Sequence, residues 1–187
     1  IADGVRVRNV YVGFKKDKFT NINDEVEIKK SNVYSIDFEE NMESIFDKEM
    51  KNCKAQLASD DEKPSYKWDS VTTTLKDIDT KKIHYVRVPK NHIVIDFDIP
   101  DKNGNKSFEL NLKEANKWPE TYAELSKSEA GIHLHYIYTG DVDKLKRCLE
   151  SGINIQAQFE IGFNIIDIAF IQTNLNFDII SLLIFSG

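Results

Sequence analysis

The sequence predicts an α/β (α+β) fold. Three observations carry this: a run dense in β-branched residues at 91–100, a second at 132–138, and apolar residues at helical spacing around them. In the first run Ile93, Val94, Ile95, Phe97 and Ile99 surround two aspartates, Asp96 and Asp98. Strand side chains alternate faces, so the two carboxylates point one way, roughly 7 Å apart. Ile93, Ile95, Phe97 and Ile99 take the other face and anchor the strand. Carboxylates held side by side are stable only if exposed, protonated or bridged by a cation. All-oxygen donors of this kind suit Mg2+ or Mn2+. In the second run the same alternation sets His133 and His135 on one face, opposite Ile132, Leu134 and Tyr136.

The remaining elements are read in chain order. Residues 5–14 alternate apolar and polar side chains, a strand with Arg6 and Arg8 on one face. Residues 15–30 are polar and turn-rich, and 33–38 form a further short strand. Met42, Ile45, Phe46, Met50, Cys53 and Leu57 recur at spacings of three and four, so 39–57 is expected to be an amphipathic helix with an acidic start. Residues 59–67 are a charged loop, and 70–80 carry no clear pattern. A strand over 82–88 ends at Pro89 and turns through Lys90 and Asn91 into the aspartate strand, an expected hairpin. After a turn at 101–105, Phe108, Leu110 and Leu112 alternate. Residues 112–125 are expected to be helical on both sides of Pro119, with Trp118 and Tyr122 on a core-facing stripe. Residues 126–131 are a loop, and 141–151 form a helix that Gly152 stops. Residues 153–159 read as extended, and 165–171 and 177–185 as two antiparallel apolar helices.

With 187 residues the chain suffices for one domain and a small appendage. A net charge of −6 argues against a nucleic-acid coat or a membrane-surface protein, while leaving room for local basic patches. Lys81, Lys82 and Arg87 are one such patch, suited to steering a template or a triphosphate. Cys53 and Cys148 are far apart and have no metal-ligand spacing. They read as small hydrophobes on helix faces in a reduced, cytoplasmic setting. No apolar run approaches a membrane span and no signal peptide is evident, so no membrane partner is expected. The chain opens on Ile1 and closes at Gly187 inside an apolar run, which suggests an excised fragment.

An acid-x-acid strand followed by a histidine strand can bring carboxylates and imidazoles to one sheet face. Metal-assisted phosphoryl transfer uses such a set, with the metal on phosphate oxygens and a histidine donating to the triphosphate. The competing structural readings are a solvated hairpin edge for the aspartates and a packed core for the histidines. A zinc site on the histidines ranks low, since no cysteine or third histidine lies at ligand spacing.

Residues 82–145 resemble the catalytic core of phage and plasmid primase-polymerases, the prim-pol branch of the archaeo-eukaryotic primase superfamily. The motifs that carry the resemblance are Asp96-x-Asp98, the turn at 102–111, the lead-in at 117–128 and Gly131-x-His133, with His135 next along that face. Before residue 82 the likeness is loose. The resemblance implies an RRM-like α/β catalytic unit over 1–138. It implies catalytic Mg2+ or Mn2+ on Asp96 and Asp98, with Asp96, Asp98 and His133 as the catalytic set. Ser128, Gly131, His133 and His135 would bind the nucleotide. The implied activity is primer synthesis and extension from nucleoside triphosphates on a DNA template, in the cytoplasm of a phage-infected or plasmid-bearing bacterium. Three departures stand out, one being that the family chain normally continues past its third acidic motif with more strands and often a helicase domain. Glu129 occupies a loop position where the family has glycine, and the family's third acidic motif aligns with residues 153–156, which place Asn154 where a carboxylate is expected. Glu160 or Asp167 could replace it only with a shift in register.

Residues 139–187 are similar to ankyrin repeats. Their two glycine-terminated helices end at Gly152 and Gly187, 35 positions apart (187 − 152), near the repeat period of about 33. The similarity implies a helical C-terminal segment that could bind a protein partner. Fewer than two repeats do not make a stable solenoid, and the alternative is two ordinary core helices of the same domain. The rival to the enzyme is thus an inactive prim-pol-like scaffold acting as a protein-interaction module, and a nuclease using the same acidic pair is a third possibility.

Overall fold

The computed structural model describes residues 5–7, 11–13, 18–23, 26, 36, 39–41, 44–126, 128–150 and 180–184. These form a small α+β domain with mixed sheets and few helices. The strands are β1 (Val5–Val7), β2 (Tyr11–Gly13), β3 (Thr20–Ile22), β4 (Glu39–Asn41), β5 (Ala55–Leu57), β6 (His84–Val86), β7 (His92–Phe97), β8 (Tyr122–Leu125), β9 (Ile132–Tyr138) and β10 (Ile180–Ile184). The α-helices are α1 (Ile45–Glu49), α2 (Phe108–Ala115) and α3 (Val142–Glu150).

The main sheet is built on β7 and β9, which pair antiparallel from His92 opposite Ile137 to Phe97 opposite Ile132. On its other edge β9 is shared. Its first half pairs with β8, antiparallel, and its last residues with β3, parallel. The free side of β7 takes β10, antiparallel. A separate sheet has the order β1-β6-β5, and β2 pairs with β4.

Both faces of the β7–β9 ladder are covered, which is why β7 reads as a nearly unbroken apolar run. Ile93, Ile95, Phe97, Ile132, Leu134 and Tyr136 pack one face against Ala115 and Trp118 and against Leu145 of α3. The anchoring role expected of alternate β7 residues therefore holds. On the opposite face Val94 and Tyr122 meet Ile45, Phe46 and Met50 around α1, with Ala55, Leu75 and Val86. Thr121 ties three strands together: its hydroxyl accepts from the Thr20 amide at 3.0 Å and donates to the His135 carbonyl.

The 91–100 and 132–138 strands and the helix after Asp141 appear where expected. Other elements differ from the expectation. The helix expected over 39–57 is confined to Ile45–Glu49. Ser44 caps it by accepting from the Phe46 amide at 3.1 Å, and residues 55–57 pair with β6 instead of continuing the turn. The expected 82–88/91–100 hairpin does not form, because β6 lies between β1 and β5 while β7 lies between β9 and β10. Phe108, Leu110 and Leu112, read as alternating, lie in helix α2, with Ser107 as N-cap. Beyond Pro119 the expected second helix is strand β8. Tyr122 and Trp118 are both buried, as expected, but not on one helix. Within the expected 5–14 strand, the described residues Val5–Val7 and Tyr11–Gly13 are strands in different sheets, and β3 lies in the stretch read as turn-rich.

The C-terminal helix expected over 177–185 is contradicted where it is described: 180–184 is extended and joins the main sheet beside β7. A five-residue run of Ile, Ser and Leu satisfies helical and strand patterns alike, and an open edge of β7 offers it hydrogen bonds. The expected strand over 33–38 (Ile36 apart), the extended 153–159, the helix over 165–171 and the residues Arg8, Gly152, Asn154, Glu160 and Asp167 lie outside the described residues.

Candidate functional site

Asp96 and His133 sit directly opposite each other across β7 and β9. Side chains of such a pair share a face, and here His133 Nε2 lies 3.3 Å from Asp96 Oδ1, both groups about a quarter exposed. Asp98 follows one residue past the end of β7. Its Oδ2 accepts from Lys106 Nζ at 2.7 Å, and its Oδ1 is buried without a hydrogen bond. Lys106 closes the 101–105 turn through a bridge between Pro100 and itself. Burial disfavours a charged His133, but the hydrogen bond to Asp96 and the charges of Asp96, Glu124 and Asp98 outweigh it. Its pKa is raised above the usual histidine value. Asp96 and His133 are thus in contact, and Asp98 is near enough for its charge to act on the imidazole.

His135 is on the same face but in the interior. It is 1% exposed, ringed by Phe19, Phe46, Tyr122 and His92. His135 Nδ1 and His92 Nε2 are 3.0 Å apart, so one donates to the other. Burial, reinforced by His92 and His133, holds the pKa of His135 well below the ordinary value, and burial takes His92 down to about 3. The expectation that His135 touches a nucleotide is corrected by this burial: an enclosed neutral ring is not open to a triphosphate.

Glu124 was missed. Read as a strand rather than a helix, residues 122–125 alternate, and Glu124 falls opposite His133 on β9's other edge. It is 7% exposed, with Oε2 3.8 Å from His135 Nε2. Ligand atoms of Glu124, His133 and His135 lie within 4.8 Å of one another. Lys106 was missed as well, because a lysine in a polar turn carries no distinctive spacing.

The loop joining β8 to β9 is held by its own polar groups. Ser126 Oγ accepts from the Gly131 amide at 3.0 Å and stands 3.0 Å from Ser128 Oγ. The buried Asn111 of α2 accepts from the Ile99 amide and donates to the Ala130 carbonyl, both at 2.7 Å, fixing the loop to the end of β7. A Cβ on Gly131 would lie 2.9 Å from Ser126 Oγ and 3.2 Å from the Phe97 carbonyl, so a side chain here would have to displace the Ser126 hydroxyl that holds the loop. Glu129 adopts φ 60°, a left-handed conformation that glycine adopts without strain. Lys81, Lys82 and Arg87 flank β6, whose sheet does not include β7.

No helix among the described residues is long and apolar enough to cross a membrane. No family model matches the chain, and neither does any curated protein or solved structure.

Proposed function

We propose that this chain is a divalent-metal-dependent nucleotidyltransferase of the primase-polymerase kind, joining nucleoside triphosphates on a DNA template. The observation that carries the reading is the register that sets Asp96 against His133, with Asp98 close enough to add to the field on that imidazole. The layer of α2 and α3 on one face of the main sheet is compatible with an RRM-like catalytic unit.

The donor set fits a hard cation. Asp96 and Asp98 would hold Mg2+ or Mn2+, and the unpartnered Oδ1 of Asp98 is an oxygen ready for it. Such an ion supplies charge neutralisation for a polyphosphate and activation of the attacking hydroxyl. His133, whose pKa its carboxylate neighbours raise, would donate to a phosphate oxygen. Asp96 orients that ring. Lys106, half-exposed and on a flexible stem, can exchange Asp98 for phosphate when a nucleotide arrives. On the far side of β7 the residue in register with Asp96 is Ser181, and β10 contains no acid. Glu124, beyond His133, is the further carboxylate on this face.

The test is incorporation of labelled nucleotide into a primed DNA template with Mn2+, comparing the parent with an Asp96→Ala, Asp98→Ala double variant. Incorporation in the parent and its loss in the variant support the reading. No incorporation in the parent, or full incorporation in the variant, overturns it in favour of a non-catalytic scaffold. Degradation of the labelled DNA without nucleotide favours a nuclease.

A further inference from the structure

The interior end of the same face holds a set of groups of which nucleotidyl transfer uses only His133. Glu124 from β8 and His133 and His135 from β9 bring one carboxylate and two imidazoles within 4.8 Å of one another. Two of the three are nearly enclosed, Glu124 at 7% and His135 at 1% exposure, while the partly exposed His133 leaves a way in. The independent sign of a missing ligand is His135 Nε2. It is buried and forms no hydrogen bond, its nearest acidic oxygen on Glu124 standing at 3.8 Å, beyond hydrogen-bond reach. A buried polar atom left unpaired costs on the order of 1–3 kcal/mol, so its retention asks for a partner.

We propose that Glu124, His133 and His135 form a binding site for one Zn2+ ion. Two nitrogens and one oxygen are the donors this borderline ion favours, whereas Mg2+ favours oxygen alone. Three protein ligands leave a fourth position for water or substrate. His92 supplies the outer partner: when His135 Nδ1–H donates to His92 Nε2, the lone pair of His135 falls on Nε2, facing the ion. His133 offers the ion a lone pair only when that ring is unprotonated, so an ion held here and a phosphate contact by His133 are alternative states of the same residue. Asp96 steadies His133 from the neighbouring strand. The three ligands escaped the spacing rules because two of them come from one strand and the third from its hairpin partner, where only register reveals the set.

The test uses the full chain stripped of metal with a chelator, and Co2+ as a spectroscopic probe. The expected result is one equivalent of Co2+ giving ligand-field absorption, displaced by Zn2+. Glu124→Gln and His133→Asn should each weaken binding by at least about tenfold, and Asp60→Asn, an exposed acid in the loop after β5, should leave it unchanged. In the parent protein, Zn2+ should shift the imidazole nitrogen resonances of His133 and His135 and leave those of His84 in place. This measurement decides alone if a variant loses its circular dichroism spectrum. Absence of Co2+ absorption, equal affinity in Glu124→Gln, loss of binding in Asp60→Asn, or an unmoved His135 resonance would each overturn the site. No step involves nucleotide or DNA, so failure here leaves nucleotidyl transfer untouched.

Discussion

His133 and His135 are two residues apart on one strand and share one face, yet their chemistry is opposite. His133 sits among Asp96, Asp98 and Glu124, and carboxylate charge raises its pKa despite burial. His135 sits among Phe19, Phe46, Tyr122 and His92, and burial lowers its pKa far below the usual value. Charge company decides at the open end, and desolvation decides at the closed end. A strand face is therefore not one environment. Its chemistry is set by what packs over each successive pair.

The most forceful way to break this contrast is to open the closed end. Phe46 is fully buried, its ring centroid 5.5 Å from that of His135 and 5.8 Å from that of His92. Phe46→Ala should cost about 3–5 kcal/mol of stability, read from denaturant midpoints. Water admitted beside His135 should raise its pKa toward the ordinary value, as followed by histidine resonances against pH. A His135 that stays neutral in a folded variant would mean that its neighbours' charges, and not Phe46, keep it so.

The next test acts on the open end. His133→Asn keeps a polar side chain but loses the cation, and nucleotide incorporation should fall about 10²–10³-fold if His133 stabilises developing charge on phosphate. In the parent, incorporation should decline as pH rises through the raised pKa of His133, and the variant should lose that limb. A variant that retains both rate and limb would remove His133 from the chemistry.

This contrast was only half legible in the sequence. Period-two alternation was enough to put Asp96 with Asp98 and His133 with His135, since the rule depends on strand identity alone, but the register that sets Asp96 against His133 came from the pairing of β7 with β9. It was also enough to assign Ile93, Ile95 and Phe97 to the core. It could not say that α1 and its surroundings cover half of that face, because residues 39–57 carry a helical spacing along their whole length. In the folded chain the spacing is satisfied by a single capped turn followed by β5. Glu124 was hidden by the same ambiguity. Proline before Glu120 is a good helix start, and only the pairing of β8 with β9 reveals a strand. The C-terminal run at 180–184 misled for want of polar punctuation.

The two ends should also separate in the pH dependence of stability. Between about 3 and 6.5 the unfolded chain takes a proton on His92 that the folded chain refuses. The unfolded state binds more protons in that window, so stability rises with pH across it and is complete above 6.5. At pH 5 this term alone costs roughly 2 kcal/mol. His133 acts with the opposite sign. Its raised pKa contributes stability below 6.5 that is lost as pH rises through the folded value. Urea unfolding across this range should show a maximum near neutrality. His92→Gln should flatten the acid side and leave the alkaline side alone. A slope unchanged by that substitution would assign the acid sensitivity to His135 or His84, both also lowered chiefly by burial.

The smallest effect concerns the loop above the open end. Glu129 holds φ 60°, and its amide donates to the Ser126 carbonyl at 3.0 Å. A side chain in the left-handed region costs about 1–2 kcal/mol relative to glycine. Glycine would relieve that cost but also loosen the unfolded chain by up to about 1 kcal/mol. Glu129→Gly should therefore stabilise the protein by no more than about 1 kcal/mol, measured by thermal unfolding. Glu129 is not among the charges that raise His133, so the titration of that ring should stay in place. A clear loss of stability would mean that the glutamate side chain holds the loop by a contact worth more than its backbone strain. A shifted His133 would extend the acidic field of the open end across the loop, and the contrast with the closed end would be wider than the strand pairs alone require.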